Sequence, residues 1–336
     1  PKLELMGNIS LNSSEDFLIL CAGFEDRSVE ILKKLISNGS SDFNILLIKY
    51  LPELSQNKFD EIQSLSKQAN IRIHQLVYDR ERPLGIGEDA LKIVENSTGK
   101  ILIDISAMSR LLVVQIIVAL LKAKIKAIQW FILYTEANQY PPTEEEVRTC
   151  IANNDPAANN IIFLSSGVFE VTILPELSSI SLQGQPIRLI TFPSFNVDQL
   201  AALRTELQPS FYNFVHGAPP SSENAWRPKA IQDLNQLEEI VRKEDVELST
   251  LDYTETLDYL LKIYDDRGTM DRIIISPIGS KMQAVATGIL RAFVEDIQIV
   301  YPTPRKFTLP EAYTRGVKNI YVLPMKVFSD FSLSKS

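Results

Sequence analysis

Two short turns hold the residues of this 336-residue chain best suited to grip an anion. The first, Ser106-Ala107-Met108-Ser109-Arg110, follows the apolar run Lys100 to Ile105 and leads into a helical pattern from Leu111. The second, Ile278-Gly279-Ser280-Lys281, follows Arg272 to Pro277 and leads into a helical pattern from Met282. Each sets a hydroxyl and a basic side chain at a helix start. Backbone N–H groups are unpaired there and the helix dipole is positive, so an anion is held well. The same dipole disfavours a cation just inside that end, which makes Arg110 and Lys281 sensible where an anion sits beside them. Serine at a helix start also serves as an ordinary N-cap. The same device at matching places in both halves is what favours a ligand.

Two further turns belong to the same set. Gly23-Phe24-Glu25-Asp26-Arg27-Ser28 follows the strand pattern Phe17 to Cys21, and Ser194-Phe195-Asn196 follows Ile187 to Thr191. Glu25, Asp26 and Asp104 are weak catalytic candidates. Converging at strand ends, they would hold Mg²⁺, with Arg27 and Arg110 clamping a phosphoryl group. The simpler alternative has Glu25 and Asp26 capping a helix and Arg27 in a surface ion pair. The second half keeps no carboxylate pair at the corresponding turn, so sensing is favoured over catalysis. Tyr134, Tyr140 and Tyr301 follow the last core strands, where they either stack on a base or close the edge of the core. Trp226 is a candidate partner or ligand contact. Cys21 and His74 are expected in the core, and His216 in a proline-rich loop. No G-x-S-x-G elbow or P-loop occurs, and Gly85-Ile86-Gly87 is too short for a dinucleotide fingerprint.

The elements that position these turns repeat along the chain. Ile19 and Phe24 match Ile190 and Phe195 at a separation of about 171 residues, and the strands before the two serine turns match at about 172. Each half has a late Gly-Val…Leu-Pro strand, Gly167 to Pro175 and Gly316 to Pro324. Apolar strands alternating with helical patterns predict α/β architecture: two tandem Rossmann-like parallel-sheet domains, each with a small antiparallel β addition. The additions are placed at Val168 to Leu182 and Val317 to Phe331. The expected domains are 1–182 and 187–336, joined at Gln183-Gly184-Gln185-Pro186, with a proline-rich excursion at 209–228 and a polar helix at Ile231 to Lys243. In such sheets ligands bind outside the carboxyl ends of the strands, near the switch in strand order.

Composition bounds the rest. Lys+Arg 34 against Asp+Glu 42 gives a net charge of −8, which excludes a coat for duplex DNA. Two cysteines and two histidines, widely spaced, do not make a structural zinc site or a disulfide scaffold, so no metal is assigned and a reducing cytoplasm is expected. Leu111 to Leu121 is too short to span a bilayer and reads as a buried helix, so no membrane association is expected.

Asp104-Ile105-Ser106-Ala107-Met108-Ser109-Arg110 fits the pattern D-x-[ST]-x-x-x-[RK] and resembles the turn after the fourth strand of the CRISPR-associated Rossmann fold (CARF) family. The second copy keeps the terminal basic residue and has a Gly-Ser turn, but it lacks the acid and the first hydroxyl residue. A tandem of two such halves also resembles the SAVED sensor domains of antiphage systems. The resemblance covers the two cores, about two-thirds of the chain. It implies sensing of a nucleotide, often a cyclic oligonucleotide, in prokaryotic antiphage defence. The resemblance puts phosphate or ribose contacts at Ser106, Ser109 and Arg110, with Ser280 and Lys281 as their counterparts. Gly23, Phe24, Arg27, Met108, Tyr134, Phe195, Gly279 and Tyr301 complete the expected ligand-binding set. No cofactor is expected, Mg²⁺ entering only under the enzyme alternative. With no effector segment recognisable, output would pass to an effector protein or through a homo-oligomer. A structural subunit of a defence complex is a further alternative.

Overall fold

Unbroken runs of Ile, Leu and Val bury both faces of a strand, and they build the centres of two parallel sheets. The computed structural model describes residues 1–123, 125–153, 165–307 and 313–329. In the first sheet, Phe17–Cys21 (β2) lies between Asn44–Leu51 (β3) and Lys100–Asp104 (β5); Arg72–Asp79 (β4) flanks β3 and Gln129–Thr135 (β6) flanks β5. In the second, Ile187–Thr191 (β8) lies between Phe211–Ala218 (β9) and Arg272–Ser276 (β11); Lys243–Ser249 (β10) flanks β9 and Gln298–Phe307 (β12) flanks β11. All these pairings are parallel. Both sheets thus run third, second, first, fourth, fifth, the order of a Rossmann-like half, and both switch direction between first and fourth strands. The fold is the expected one: two tandem Rossmann-like parallel sheets with antiparallel additions.

The additions are exchanged. Ser165–Ile173 (β7) follows the first five strands in sequence, yet it pairs antiparallel with β12. Ile320–Pro324 (β13) follows the second five, yet it pairs antiparallel with β6 and with the short Glu4–Leu5 (β1). The compact units are accordingly Pro1–Tyr140 with Thr314–Ser336 (unit 1), and Pro141–Tyr313 (unit 2). The expected boundaries, 1–182 and 187–336, put both late strands in the wrong unit. A strand's alternation fixes which face it buries, not which sheet edge it joins. The end of the second expected addition, residues 330–331, lies outside the described residues.

Helices follow the parallel strands: Glu30–Ser37 (α1), Phe59–Gln68 (α2), Ile86–Val94 (α3) and Arg110–Ala123 (α4) in unit 1. Unit 2 holds Glu144–Asn153 (α5), Val197–Leu207 (α6), Arg227–Leu234 (α7), Tyr253–Arg267 (α8) and Lys281–Phe293 (α9). Lys326–Ser329 (α10) closes the described chain. Helix α4 is apolar all round and buried from Leu111 to Val118; its one polar residue in that stretch, Gln115, donates to Pro83 O at 2.5 Å. Among the described residues no helix is long and apolar enough to cross a membrane.

Two other expectations are corrected. The proline-rich excursion at 209–228 is β9, a core strand, followed by the start of α7. Its prolines stand outside the strand, at 209, 219 and 220, while Pro228 occupies the first turn of α7, where no N–H is needed. The polar helix placed at Ile231 to Lys243 begins earlier, at Arg227, and Lys243 already belongs to β10.

Candidate functional site

In unit 1 the turn after β5 is built from the strand end upward. Asp104 is buried, and its Oδ1 accepts from Ser106 N at 2.9 Å and from Ser106 Oγ at 2.5 Å. Ser106 Oγ in turn accepts from Thr135 N at 2.8 Å. The hydroxyl is fully enclosed and braces β5 to β6, so it does not face a ligand as expected. Met108 is likewise fully buried and packs in the core. Ser109 is half-buried, and its Oγ accepts from Leu112 N at 3.2 Å, capping α4. Arg110, half-buried, begins that helix, which has no acid in its first turn.

Tyr50, at the end of β3, sets the geometry of this turn. Its hydroxyl accepts from Ser109 N at 2.7 Å and donates to Ala107 O at 3.1 Å. Burial, and then the neighbouring Cys21 thiol, push the Tyr50 pKa well above the usual tyrosine range. Arg80, just past β4, lies over the Tyr50 ring at 4.2 Å. Neither Tyr50 nor Arg80 was legible as a site residue, because β3 and β4 bring them from far along the sequence. The one hint was a tyrosine ending the apolar run Ile45 to Tyr50.

The turn after β2 meets the same place from the other side of the switch. A Cβ on Gly23 would stand 2.8 Å from Ala107 Cβ, so the two turns touch between β2 and β5. Ser109, Arg110 and Arg80 are half-buried, and Tyr50 links two of them: its hydroxyl meets Ser109 N and its ring carries Arg80. Phe24 is half-buried. Arg27 is only 5% exposed: Nε donates to Glu25 Oε2 at 2.5 Å and Nη1 to Thr135 O at 3.3 Å. Burial opposes its charge, but Glu25 outweighs it, with Tyr134 and Tyr140 adding to the effect, and the Arg27 pKa rises. Arg27 is thus an enclosed strut, neither a phosphoryl clamp nor a surface ion pair. Tyr134 stacks on Tyr321 of β13 at 6.5 Å and its hydroxyl meets that of Tyr140 at 3.1 Å. It closes the sheet rather than offering a face to a base.

The carboxylates do not converge. Glu25 accepts from Arg27 and from Thr314 Oγ1, Asp26 accepts from Gly316 N at 3.1 Å, and Asp104 is committed to Ser106. Among the described residues no group of three or more His, Cys, Asp or Glu stands ready to hold a metal ion. This donor set does not fit the Mg²⁺ site of the enzyme alternative.

Unit 2 repeats the plan with different parts. A Cβ on Gly279 would lie 2.7 Å from Phe192 Cβ, so the turns after β8 and β11 also touch across the switch. Ser280 caps α9 through a full capping box: Gln283 N donates to Ser280 Oγ at 3.1 Å and Ser280 N to Gln283 Oε1 at 2.8 Å. Lys281, half-buried, opens α9, again with no acid in the first turn. Phe195 packs against Trp226, their ring centres 5.9 Å apart, and Arg227 lies 4.9 Å from the Phe195 ring. Tyr301 is buried in β12 opposite Thr172 of β7, so it belongs to the sheet. His216 lies in β9 rather than a loop; its Nε2 is 2.8 Å from Asp245 Oδ1. The hydrogen bonds from His216 and Lys243 outweigh burial and hold the Asp245 carboxyl below its ordinary value. Cys21 and Cys150 are buried thiols, and His74 lies half-buried on edge strand β4 against Phe17. At the opposite, amino end of the unit 1 strands lies an open hollow of about 400 Å³ beside Asp16, Gly99 and Ile128. The Asp16 oxygens there accept from Asn12 N and Lys100 N.

No known family profile matches the sequence, and no curated protein matches it. Among solved structures, the chain is similar to the cytoplasmic domain of a prokaryotic cation chloride cotransporter. The identity is 11%, the match covers 87% of this chain and 95% of that one, and the TM-score is 0.26.

Proposed function

We propose that the chain senses a phosphate-bearing nucleotide, which it binds at the carboxyl ends of the unit 1 strands, on the face formed by Arg80 and the Ser109-Arg110 turn. One arrangement carries this reading. Arg110 opens a buried apolar helix with no acid in its first turn, and the tyrosine that fixes that turn bears Arg80 on its ring. A phosphate is favoured at the positive end of a helix and by guanidinium donors nearby. The second turn, Gly279-Ser280-Lys281, repeats the charge pattern on unit 2. The resemblance to tandem CARF-like and SAVED-like sensors points to a cyclic oligonucleotide and to prokaryotic antiphage defence, with output through an effector protein or self-assembly.

Titration calorimetry of the full chain against cyclic di-, tri- and tetra-nucleotides tests the proposal. Arg110→Ala and Arg80→Ala should each weaken binding at least about tenfold, near 1.4 kcal/mol, with the chain still folded by circular dichroism. Affinity should also fall as salt rises. Equal affinity in the double variant and the parent would sink the proposal.

A further inference from the structure

The chain passes between its two units at residues 140/141 and 313/314. On the unit 1 side, the segments at these passages lie together. Gln139 N donates to Arg315 O at 3.0 Å, Arg315 N to Gln139 O at 3.1 Å, and Asn138 N to Arg315 O at 3.1 Å. The β2 turn grips the 314–316 segment directly and reaches the 138–140 segment through the end of β6. Glu25 accepts from Thr314 Oγ1, and Asp26 Oδ2 accepts from Gly316 N at 3.1 Å. Arg27, paired with Glu25, holds Thr135 O and lies 5.9 Å from the Tyr134 ring centre. Tyr134 meets Tyr140, whose hydroxyl also takes the N–H of Ala137 at 3.0 Å.

The same turn is joined to the Ser106–Arg110 turn without a break. Tyr50 holds Ser109 N and Ala107 O. Ala107 is in contact with Gly23. Ser106 Oγ holds Thr135 N, and Thr135 O receives Arg27. Ser106 and Thr135 are fully enclosed. Close-packed contacts of this kind resist local absorption of a shift, which is the physical ground for coupling between the two turns.

We propose that Glu25-Asp26-Arg27 is a clamp on both connections between the units, and that the state of the Ser106–Arg110 turn is transmitted to those connections through it. What moves that turn rests on the anion reading above; the clamp itself does not. Its chemistry is a largely enclosed ion pair with one carboxylate oxygen shared between Arg27 and Thr314, so loosening either partner weakens the hold on the other.

Hydrogen–deuterium exchange on the full chain, read at the amides of Asn138, Gln139, Arg315 and Gly316, tests this. Glu25→Gln should speed exchange at all four by about tenfold or more, with Ile103 in β5 unchanged as the internal control. Thr314→Val, a milder change, should act in the same direction and covers the case in which Glu25→Gln misfolds. Ser106→Ala, which touches none of the four amides directly, should also speed them. If it alters only the Thr135 amide, transmission is overturned. If Thr314→Val leaves the 138–139 amides at the parent rate, the clamp is overturned. A third arm adds saturating inorganic pyrophosphate. Slower exchange at the four amides of the parent, lost in Thr314→Val while binding persists, is the expected result. Binding with no change at the parent's four amides overturns transmission. No binding by calorimetry counts against the anion reading, and the variants still decide the clamp.

Discussion

Tyr50 joins three strand ends through one ring and one hydroxyl: Ser109 and Ala107 across β2, Arg80 beyond β4, and Cys21 beneath. Tyr50→Phe keeps the ring under Arg80 but leaves Ser109 N and Ala107 O without their partner, so it should lower stability by about 1–3 kcal/mol. Its pH dependence has a definite sign. The folded pKa is raised above the value in the unfolded chain, so the contribution is whole below about pH 10 and drains away as pH rises toward the folded value. Denaturant titrations between pH 8 and pH 11 should show the parent losing stability more steeply than Tyr50→Phe; parallel curves would contradict this. Ser109, Arg110, Ser280 and Lys281 were legible in the sequence, because a hydroxyl and a base at a helix start form a local pattern. The burial of Ser106, Met108 and Arg27 was not. Whether a polar residue near a strand end faces out or inward depends on neighbours supplied by other strands, here Thr135 for two of the three.

Helix starts and edge strands account for what single elements contribute. Removing the capping oxygen by Ser280→Ala should destabilise unit 2 by about 1 kcal/mol, and Gln283→Ala should add little more once that partner is gone, since the two share one capping box. Thermal unfolding of the two single variants and the double variant measures this; full additivity would argue against the reciprocal cap. Core strands β2, β5 and β11 were legible because apolar residues run through them without interruption, and β8 because Arg188 alone breaks its apolar run. Strand β10, Lys-Glu-Asp-Val-Glu-Leu-Ser, was not, because an edge strand carries charge on its open side. Strand β9 was hidden by flanking prolines, although Phe211 to Val215 is rich in aromatic and β-branched residues, as strands are.

For the molecule as a whole, the two late strands decide what can stand alone. A chain cut after residue 182 would keep β7 without β12 and β6 without β13, two unpaired edges at once. Such a fragment should aggregate or elute as a partly unfolded species in size-exclusion chromatography, with weakened near-ultraviolet circular dichroism. A monomeric, cooperatively folding fragment would show that β13 is dispensable. The doubled α/β plan was open to sequence reading, since strand–helix repetition is local. Partner choice at sheet edges was not, since β7 and β13 carry similar Gly-Val…Leu-Pro patterns. Such likeness also bears on inheritance. Once each sheet borrows its sixth strand from the far stretch of sequence, neither half can be shed, shuffled or moved to another gene without ruining its sibling. A half whose turn carries no acid, as Ser276 stands where Asp104 does, is still tied to its sibling by that shared strand pairing.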